Sequence, residues 1–450
     1  MAIAIALIIL VVGSFIFHFL SPWTFTELAS NWEMIDFTID VTFVVTSFVF
    51  AAVNLFLAYC VIKYRYKKDA KADYEPENKK LEYWLTGLTT IGIVAMLAPG
   101  LFVWDKFVDV PEDAHIVEAV GQQWHWTYRY PGEDEKLGEV DAERISRENP
   151  FGIDPEDPNG QDDIIVYNAE AHIPIDQPVK FLLRSKDVLH NFTIAQFRVK
   201  MDMVPGMTTF MWLQPTKTGR FELLCEELCG VGHFAMRGAV VVDEQKDFDS
   251  WLAKQPTFSE VMAKSKGDAV LGAAQYAPCA ACHGMQGEGN KNLSAPNLAG
   301  QSDWYLKRQL MNYKTGLRGT HKKDMYGMQM IAMASTLVNE AAVDNVVAHI
   351  NNFPESSTQS TIVGDIERGE KRYATCAYCH GRDGMGLQAT NAPRIAGLSD
   401  WYMKRQLQNW KEGIRGAHKQ DYYGYQMGLF SQTLNTDQAI DDIIAYINTL

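Results

Sequence analysis

Three long apolar stretches open the chain. Residues Ile3–Leu20, Val41–Ile62 and Tyr83–Trp104 contain no Asp, Glu, Lys or Arg. A helix of about 20 apolar residues spans the hydrocarbon core of a bilayer. The pattern therefore predicts three transmembrane helices within residues 1–109. The first stretch also resembles a signal peptide in length, but it lacks a basic start and a clear cleavage site, so we expect it to be retained.

The charges between these stretches predict their orientation. Residues 63–82 carry seven Lys and Arg side chains, whereas residues 21–40 carry none. Segments rich in Lys and Arg stay in the cytoplasm, so residues 63–82 are predicted to be cytoplasmic. Everything after Trp104 then lies outside. We therefore expect a multi-pass protein of a bacterial cytoplasmic membrane, with its large domains on the periplasmic or outer side.

From residue 110 to residue 247 the pattern changes to short β-rich runs separated by Pro, Gly and Asp. Such runs predict a β-sandwich or barrel. The segment Pro131–Asp163 interrupts them with a net charge of −9, and we interpret it as a solvated loop. Residues 248–265 are predicted to be a linker with a short helix.

The remainder of the chain is a tandem repeat with a shift of 97 residues. Aligning residues 301–330 with residues 398–427 leaves most positions identical, and each copy ends in an apolar pattern of helical spacing. The repeat therefore predicts two all-α domains, at residues 266–354 and 355–450. The fold class is a multidomain membrane protein with transmembrane helices, a β-sandwich and two helical domains.

Each copy carries one Cys-x-x-Cys-His motif. The motif residues are Cys279, Cys282 and His283 in the first copy and Cys376, Cys379 and His380 in the second. This spacing lets two thiols form thioethers with a haem while the adjacent His binds the iron. A structural zinc site would need two more close ligands in each copy, and none follow. The motifs therefore predict two covalently bound haems c.

The repeat also restricts the second axial ligand of each haem iron. Among the Met residues that follow the motif in the first copy, only Met330 has a Met at the equivalent position, Met427. His–Met ligation is typical of electron-transfer haems. His321 and His418 are likewise present in both copies, so bis-His ligation remains the alternative.

A second set of soft ligands lies in the β-rich region. Its members are His190, Cys225, Cys229, His233 and Met236. Thiolates, imidazoles and a thioether together favour copper. Two Cys residues with one His for each metal favour two copper ions bridged by both sulfurs, and a zinc site of two Cys and two His is the alternative. The net charge of −14 and the lack of a basic run argue against nucleic-acid binding.

These motifs carry a family resemblance. The stretches Gln123-Trp-His-Trp-Thr-Tyr, Asp187-Val-Leu-His-Asn-Phe and Lys200-Met-Asp-Met-Val-Pro-Gly, with the copper motif, resemble subunit II of the haem-copper cytochrome c oxidases. The fused haem domains resemble the caa3-like variant, and the two repeats separately resemble dihaem cytochromes of the c4 type. The resemblance implies a cupredoxin-like β-domain. In c4-type cytochromes the Pro matching Pro296 and Pro393 accepts a hydrogen bond from the haem-binding His.

The resemblance assigns further roles. It implies a dinuclear CuA centre held by the five ligands above and by the backbone carbonyl of Glu227, whose side chain also binds a Mg²⁺ shared with subunit I. Trp124 matches the aromatic side chain through which electrons reach CuA. Glu82 matches a carboxylate at the mouth of a proton channel, although Leu85 replaces the expected Trp.

The resemblance therefore implies subunit II of a proton-pumping cytochrome c oxidase. Electrons would pass from an external donor, such as a cytochrome c or a bc1-type complex, through two haems and CuA to the subunit that reduces O₂ to water. Subunit I, other oxidase subunits and the lipid membrane are the expected partners. The alternatives are the small subunit of a CuA-type nitric oxide reductase and a membrane-anchored electron shuttle.

Overall fold

The computed structural model describes residues 1–21, 25–68, 71, 74, 76–146, 149–167, 169–263, 267–355 and 359–450. The predicted boundary at residues 265 and 266 lies outside these ranges. Three helices come first: α1 (Ala2–Leu20), α2 (Glu33–Lys63) and α3 (Lys79–Val108). All three are long and apolar enough to cross a membrane, with mean hydropathies of 2.8, 2.2 and 1.8. The prediction of three N-terminal apolar helices is confirmed.

The next domain is a β-sandwich, as predicted. Its strands in the described residues are β1 (His115–Gln122), β2 (His125–Tyr130), β3 (Ile164–Val166), β4 (Glu170–Pro174), β5 (Val179–Ser185), β6 (His190–Ile194), β7 (Val199–Met203), β8 (Thr209–Leu213), β9 (Gly219–Leu224) and β10 (Arg237–Asp243). One sheet has the order β3-β2-β1-β5-β8, and the other has the order β4-β10-β9-β6-β7. Strand β1 pairs with β5, and β4 with β10, in parallel.

Buried and partly exposed side chains alternate along the strands, and the buried ones form the core between the sheets. In β5 the side chains of Val179, Phe181 and Leu183 are buried, while the residues between them are partly exposed. Phe181 packs against Phe192 of β6, with ring centroids 5.2 Å apart. Burying a side chain of this size contributes about 1.5–3 kcal/mol relative to leaving it in water.

The acidic insertion differs from the solvated loop that its charge suggested. Its Phe151 and Ile153 are fully buried, in a small core with Ile165 and Phe258. Apolar side chains inside an acidic segment are the reason, because their burial draws the backbone against the sandwich. Most of the carboxylates still face solvent, but Asp163 is buried.

Two short helices, α4 (Gln245–Leu252) and α5 (Phe258–Ala263), lead into the helical domains. The first of these contains α6 (Ala269–His283), α7 (Asp303–Lys314), α8 (Met325–Ser335) and α9 (Glu340–Ile350). The second contains α10 (Ile366–His380), α11 (Asp400–Lys411), α12 (Tyr422–Ser431) and α13 (Asp437–Ile447). The first and last helices of each copy pack together around a buried Tyr, Tyr276 or Tyr373, so the duplication is visible in three dimensions.

The start of α2 is fixed to the sandwich. The Trp32 indole donates to the backbone carbonyl of Trp212 at 3.0 Å, and the Arg198 guanidinium bonds both carboxylate oxygens of Asp36 at 2.6 and 2.9 Å. Bidentate pairs of this kind restrict orientation as well as distance. The β-domain is therefore held directly against the outer end of the helical anchor.

One buried ion-pair network supports a stability prediction. Arg129 bonds Glu118 at 2.6 Å and Asp163 at 2.8 Å, and all three side chains are at most 3% exposed. Burial raises the pKa of Asp163 to about 7, and Arg129 opposes this rise. Removing one partner of a buried pair leaves an uncompensated charge and costs about 3–5 kcal/mol.

We therefore expect Arg129→Leu to lower the apparent Tm of the detergent-solubilised chain by roughly 10 °C. The loss should be larger at pH 8 than at pH 6, because the variant's Asp163 binds its proton more tightly in the folded state and stability then falls further as pH rises. Near-ultraviolet circular dichroism gives the measurement. Arg237→Leu, which breaks a half-exposed pair with Glu222, is the control and should change little. Equal Tm values for the two variants would contradict the assignment.

Candidate copper and haem sites

The loop between β9 and β10 carries the two thiols of the candidate copper centre. Cys225 follows β9 directly, and Cys229 lies on the loop that returns to β10; both are buried. Their sulfur atoms are 3.7 Å apart. The two thiols lie too far apart for a disulfide, whose S–S bond is about 2 Å, and close enough to share metal ions.

The other predicted ligands surround this sulfur pair. The distances are 3.9 Å from Cys225 Sγ to His190 Nδ1, 3.3 Å from Cys225 Sγ to the Glu227 carbonyl, 3.6 Å from Cys229 Sγ to His233 Nδ1 and 3.7 Å from Cys229 Sγ to Met236 Sδ. Each sulfur atom thus lies beside one His and also beside the other sulfur atom. The structure brings together all six donors that the sequence and the resemblance proposed.

The protonation of the pair prepares it for a metal. A hydrogen bond between the two sulfurs lowers the pKa of Cys225, while the same bond raises the pKa of Cys229. The two thiols therefore differ in proton affinity, and a metal ion would displace the protons that they hold, since the thiolate is the ligand form of Cys.

His190 is oriented by a residue that the sequence did not single out. Its Nε2 lies 2.8 Å from Asp187 Oδ1, which leaves Nδ1 directed at Cys225. A carboxylate behind a metal-binding imidazole fixes the ring and its tautomer. Asp187 also accepts from the backbone N–H of Gln123 at 2.7 Å. The Asp-x-x-His spacing was the available signal in the sequence.

Trp124 joins this loop to its surroundings. Its indole Nε1 donates to the Cys229 carbonyl at 3.1 Å, and its side chain is 4% exposed. The ring lies so close to the loop that a Cβ added at Gly232 would come within 2.3 Å of it. Gly232 is therefore required for the contact, and Trp124 has a fixed place beside the sulfur pair.

The haem-binding His residues have one arrangement in both helical domains. His283 and His380 end helices α6 and α10, and their Nδ1 atoms lie 2.9 and 2.8 Å from the carbonyls of Pro296 and Pro393. Burial lowers the pKa of both imidazoles. A neutral ring that donates from Nδ1 presents Nε2 as an iron ligand.

The second helical domain contains an apolar cavity lined by the residues that are predicted to hold a haem. Cys376, Cys379 and His380 line one side of it, and Met427 lines it as well. His418 is absent from the lining; it is exposed and accepts from the backbone N–H of Gln420 at 3.2 Å. This placement favours Met427 over His418 as the second axial ligand.

Two arginines at the contact between the two helical domains bear on whether these domains suit a haem. Arg318 bonds Tyr402 and Gln406 of the other domain, each at 3.1 Å. Reciprocally, Arg415 bonds Tyr305 at 3.0 Å and Gln309 at 3.1 Å. Both guanidinium groups are buried, and neither pairs with a carboxylate in the described part of the chain. Buried charges require compensation, which haem propionates would supply.

The second helical domain also rests on the β-domain. The hydroxyl of Tyr422 is 2.7 Å from the buried Glu170 carboxylate and also contacts Arg220. The Gln426 amide donates to the carbonyl of Ala235 at 3.1 Å and to that of Trp124.

Trp124 consequently lines the same cavity as His380, so the two candidate sites meet at this ring. Sequence reasoning missed these contacts. The available signal was that Tyr422 replaces Met325 of the first copy within otherwise matching segments.

Two residues assigned by resemblance lie at the edges of the described sites. The Glu227 side chain is half-buried on the loop between β9 and β10, while Glu82 is exposed in the first turn of α3. Their roles in Mg²⁺ binding and in proton uptake need a partner subunit, so both assignments stay predictions.

Comparison with known proteins agrees with this fold. Residues 115–244 match the family described as cytochrome c oxidase subunit II, periplasmic domain, and residues 269–354 and 366–450 match cytochrome c. The alternative cytochrome c oxidase subunit 2 of Bradyrhizobium diazoefficiens is 52% identical over 265 residues, which are 59% of this chain and 96% of that protein.

Two solved structures are similar to separate parts of the chain. The periplasmic domain of subunit II of cytochrome oxidase of Bradyrhizobium japonicum is 30% identical, covers 32% of this chain and 95% of its own, and has a TM-score of 0.24. Cytochrome c4 from Pseudomonas stutzeri is 25% identical, covers 41% of this chain and 99% of its own, and has a TM-score of 0.34.

Fold and sites thus define a membrane-anchored oxidase component with a periplasmic subunit II domain and cytochrome c domains. The chain belongs to the cytochrome c oxidase subunit 2 family.

The sulfur pair supports a prediction on copper binding. Cys229→Ser should abolish the near-infrared band and the EPR signal of a mixed-valence copper pair, because Cys229 contacts Cys225, His233 and Met236. Copper content of the purified chain, measured by atomic absorption, is the independent readout. Cys60→Ser, in helix α2, is the matched control and should keep both signals. Both signals persisting in Cys229→Ser would exclude the assignment.

Proposed function

We propose that the chain is the electron-transfer subunit of a proton-pumping cytochrome c oxidase. It takes electrons from an external donor and passes them, through two covalent haems c and a dinuclear copper centre, to a subunit that reduces O₂ to water. The observation that supports this most directly is the position of Trp124, between the sulfur pair and the cavity of the second cytochrome c domain.

The dinuclear assignment rests on the number and kind of donors. Four donor groups surround the two cysteine sulfurs, which makes six donors in all, whereas a structural zinc ion takes four ligands. A thioether and a backbone carbonyl complete the set of soft and neutral donors. When bound, the copper pair and the haems each supply a one-electron redox couple. The side chain of Glu227 would bind Mg²⁺ together with subunit I.

The protein supplies orientation and the exclusion of water. Asp187 fixes the His190 ring, and Gly232 lets Trp124 pack against the loop between β9 and β10. Cys225 and Cys229 are 7% and 1% exposed, so solvent hardly reaches the sulfur pair. A rigid and dry ligand set changes little between oxidation states, which favours fast electron transfer.

Axial ligation supports a second test. Met427→His should lower the midpoint potential of one haem and leave the other nearly unchanged, because axial ligands set haem potentials over a range of roughly 0.8 V. Met330→His should do the same for the other haem. A spectroscopic redox titration of the purified chain gives both potentials. His418→Gln is the control and should leave both potentials in place; a large shift in this control would favour bis-His ligation instead.

Gas consumption tests the proposed function as a whole. The complex that co-purifies with the full chain should take up O₂ when a reduced cytochrome c is supplied, and proteoliposomes should acidify their outer medium during turnover. NO uptake in place of O₂ uptake would identify a nitric oxide reductase subunit. Uptake of neither gas, with normal reduction of the haems, would identify an electron shuttle.

A further inference from the structure

The two cytochrome c domains are duplicates with different surroundings. Helix α12 of the second domain lies against the β-domain through Tyr422, Gln426 and Phe430, the last of which packs on Phe234 with ring centroids 5.2 Å apart. Tyr422 is only 8% exposed. A shift of 97 residues gives the equivalent helix of the first domain, α8. No described residue of the β-domain contacts α8 in this way.

The equivalent surface of the first domain is open. Met325, which matches Tyr422, is 61% exposed. Leu293, which is 48% exposed, matches the half-buried Thr390 that lines the cavity of the second domain. Exposed apolar side chains grouped around a redox site are typical of a protein interaction surface.

Charge indicates which kind of partner fits this surface. Lys322 and Lys323 precede α8, are exposed, and make no ion pair with any described residue. The nearest acidic side chain along the chain, Asp324, is used as the helix cap and accepts from Gly327 N at 2.9 Å. The open surface is therefore apolar with a cationic margin, and it complements a protein whose contact surface is apolar with an acidic margin.

From these observations we infer that the surface formed by Leu293, Lys322, Lys323 and Met325 binds the external electron donor, a small one-electron carrier protein with an acidic contact surface. The inference rests on the proposed function and adds an order to it: the first cytochrome c domain receives, and the second delivers towards Trp124. Each encounter oxidises the carrier by one electron and reduces the chain by one electron, and no bond forms or breaks.

The repeat supplies a matched pair of variants. Lys322→Glu changes the proposed surface, and Lys419→Glu makes the same change at the equivalent position of the second domain. Stopped-flow reduction of the full complex by an acidic cytochrome c at low salt should slow about tenfold in Lys322→Glu and change less than twofold in Lys419→Glu. Surface plasmon resonance with both proteins oxidised should show a matching loss of affinity, and unchanged thermal unfolding would exclude misfolding.

Several results would overturn the inference. Equal effects of the two substitutions, or a larger effect of Lys419→Glu, would place donor binding elsewhere. Faster reduction of Lys322→Glu, together with a preference for a basic cytochrome c, would show that the partner's contact surface is not acidic. Loss of a dimer in Lys322→Glu, seen by analytical ultracentrifugation, would show that a second copy of the chain occupies the surface. If no cytochrome c reduces even the unchanged complex, the proposed function fails first.

Discussion

The packing of the Trp124 ring against Gly232 is the contact on which the arrangement of the sites depends. One edge of the indole donates to the carbonyl of Cys229, and the ring also lines the cavity of a domain that begins more than 200 residues later. A side chain at residue 232 would displace the ring and separate the two sites. The loop that holds the sulfur pair and the surface that receives the cytochrome c domain are therefore one structural unit.

Much of this was predictable because chemistry imposes local spacing. Two Cys residues four apart, with a His and a Met within the next seven positions, need only one loop to bring their side chains together. The same holds for Cys-x-x-Cys-His at the end of a helix. Apolar stretches predicted the three N-terminal helices for an equally local reason, since a bilayer fixes their length.

The contacts that join distant segments were not predictable. Tyr422 and Gln426 act across domains, and their partners are set by tertiary packing rather than by spacing. For the acidic insertion, net charge was a poor guide to structure, because it takes no account of Phe151 and Ile153. These two buried side chains hold the insertion against the sandwich. Net charge describes how a segment meets water, whereas one or two large apolar residues decide whether it folds back on the protein.

The reciprocal contact of Arg318 and Arg415 has a consequence for how the duplicated halves can diverge. Because each arginine bonds a tyrosine and a glutamine from the opposite copy, a change in either copy disturbs both halves of the contact. The shared surface is thus under a double constraint, whereas of the two equivalent helices α8 and α12 only α12 packs against the β-domain in the described part of the chain. A gene duplication arranged in this way keeps its inner surface symmetrical and leaves its outer surfaces free to specialise, as the difference between Met325 and Tyr422 illustrates.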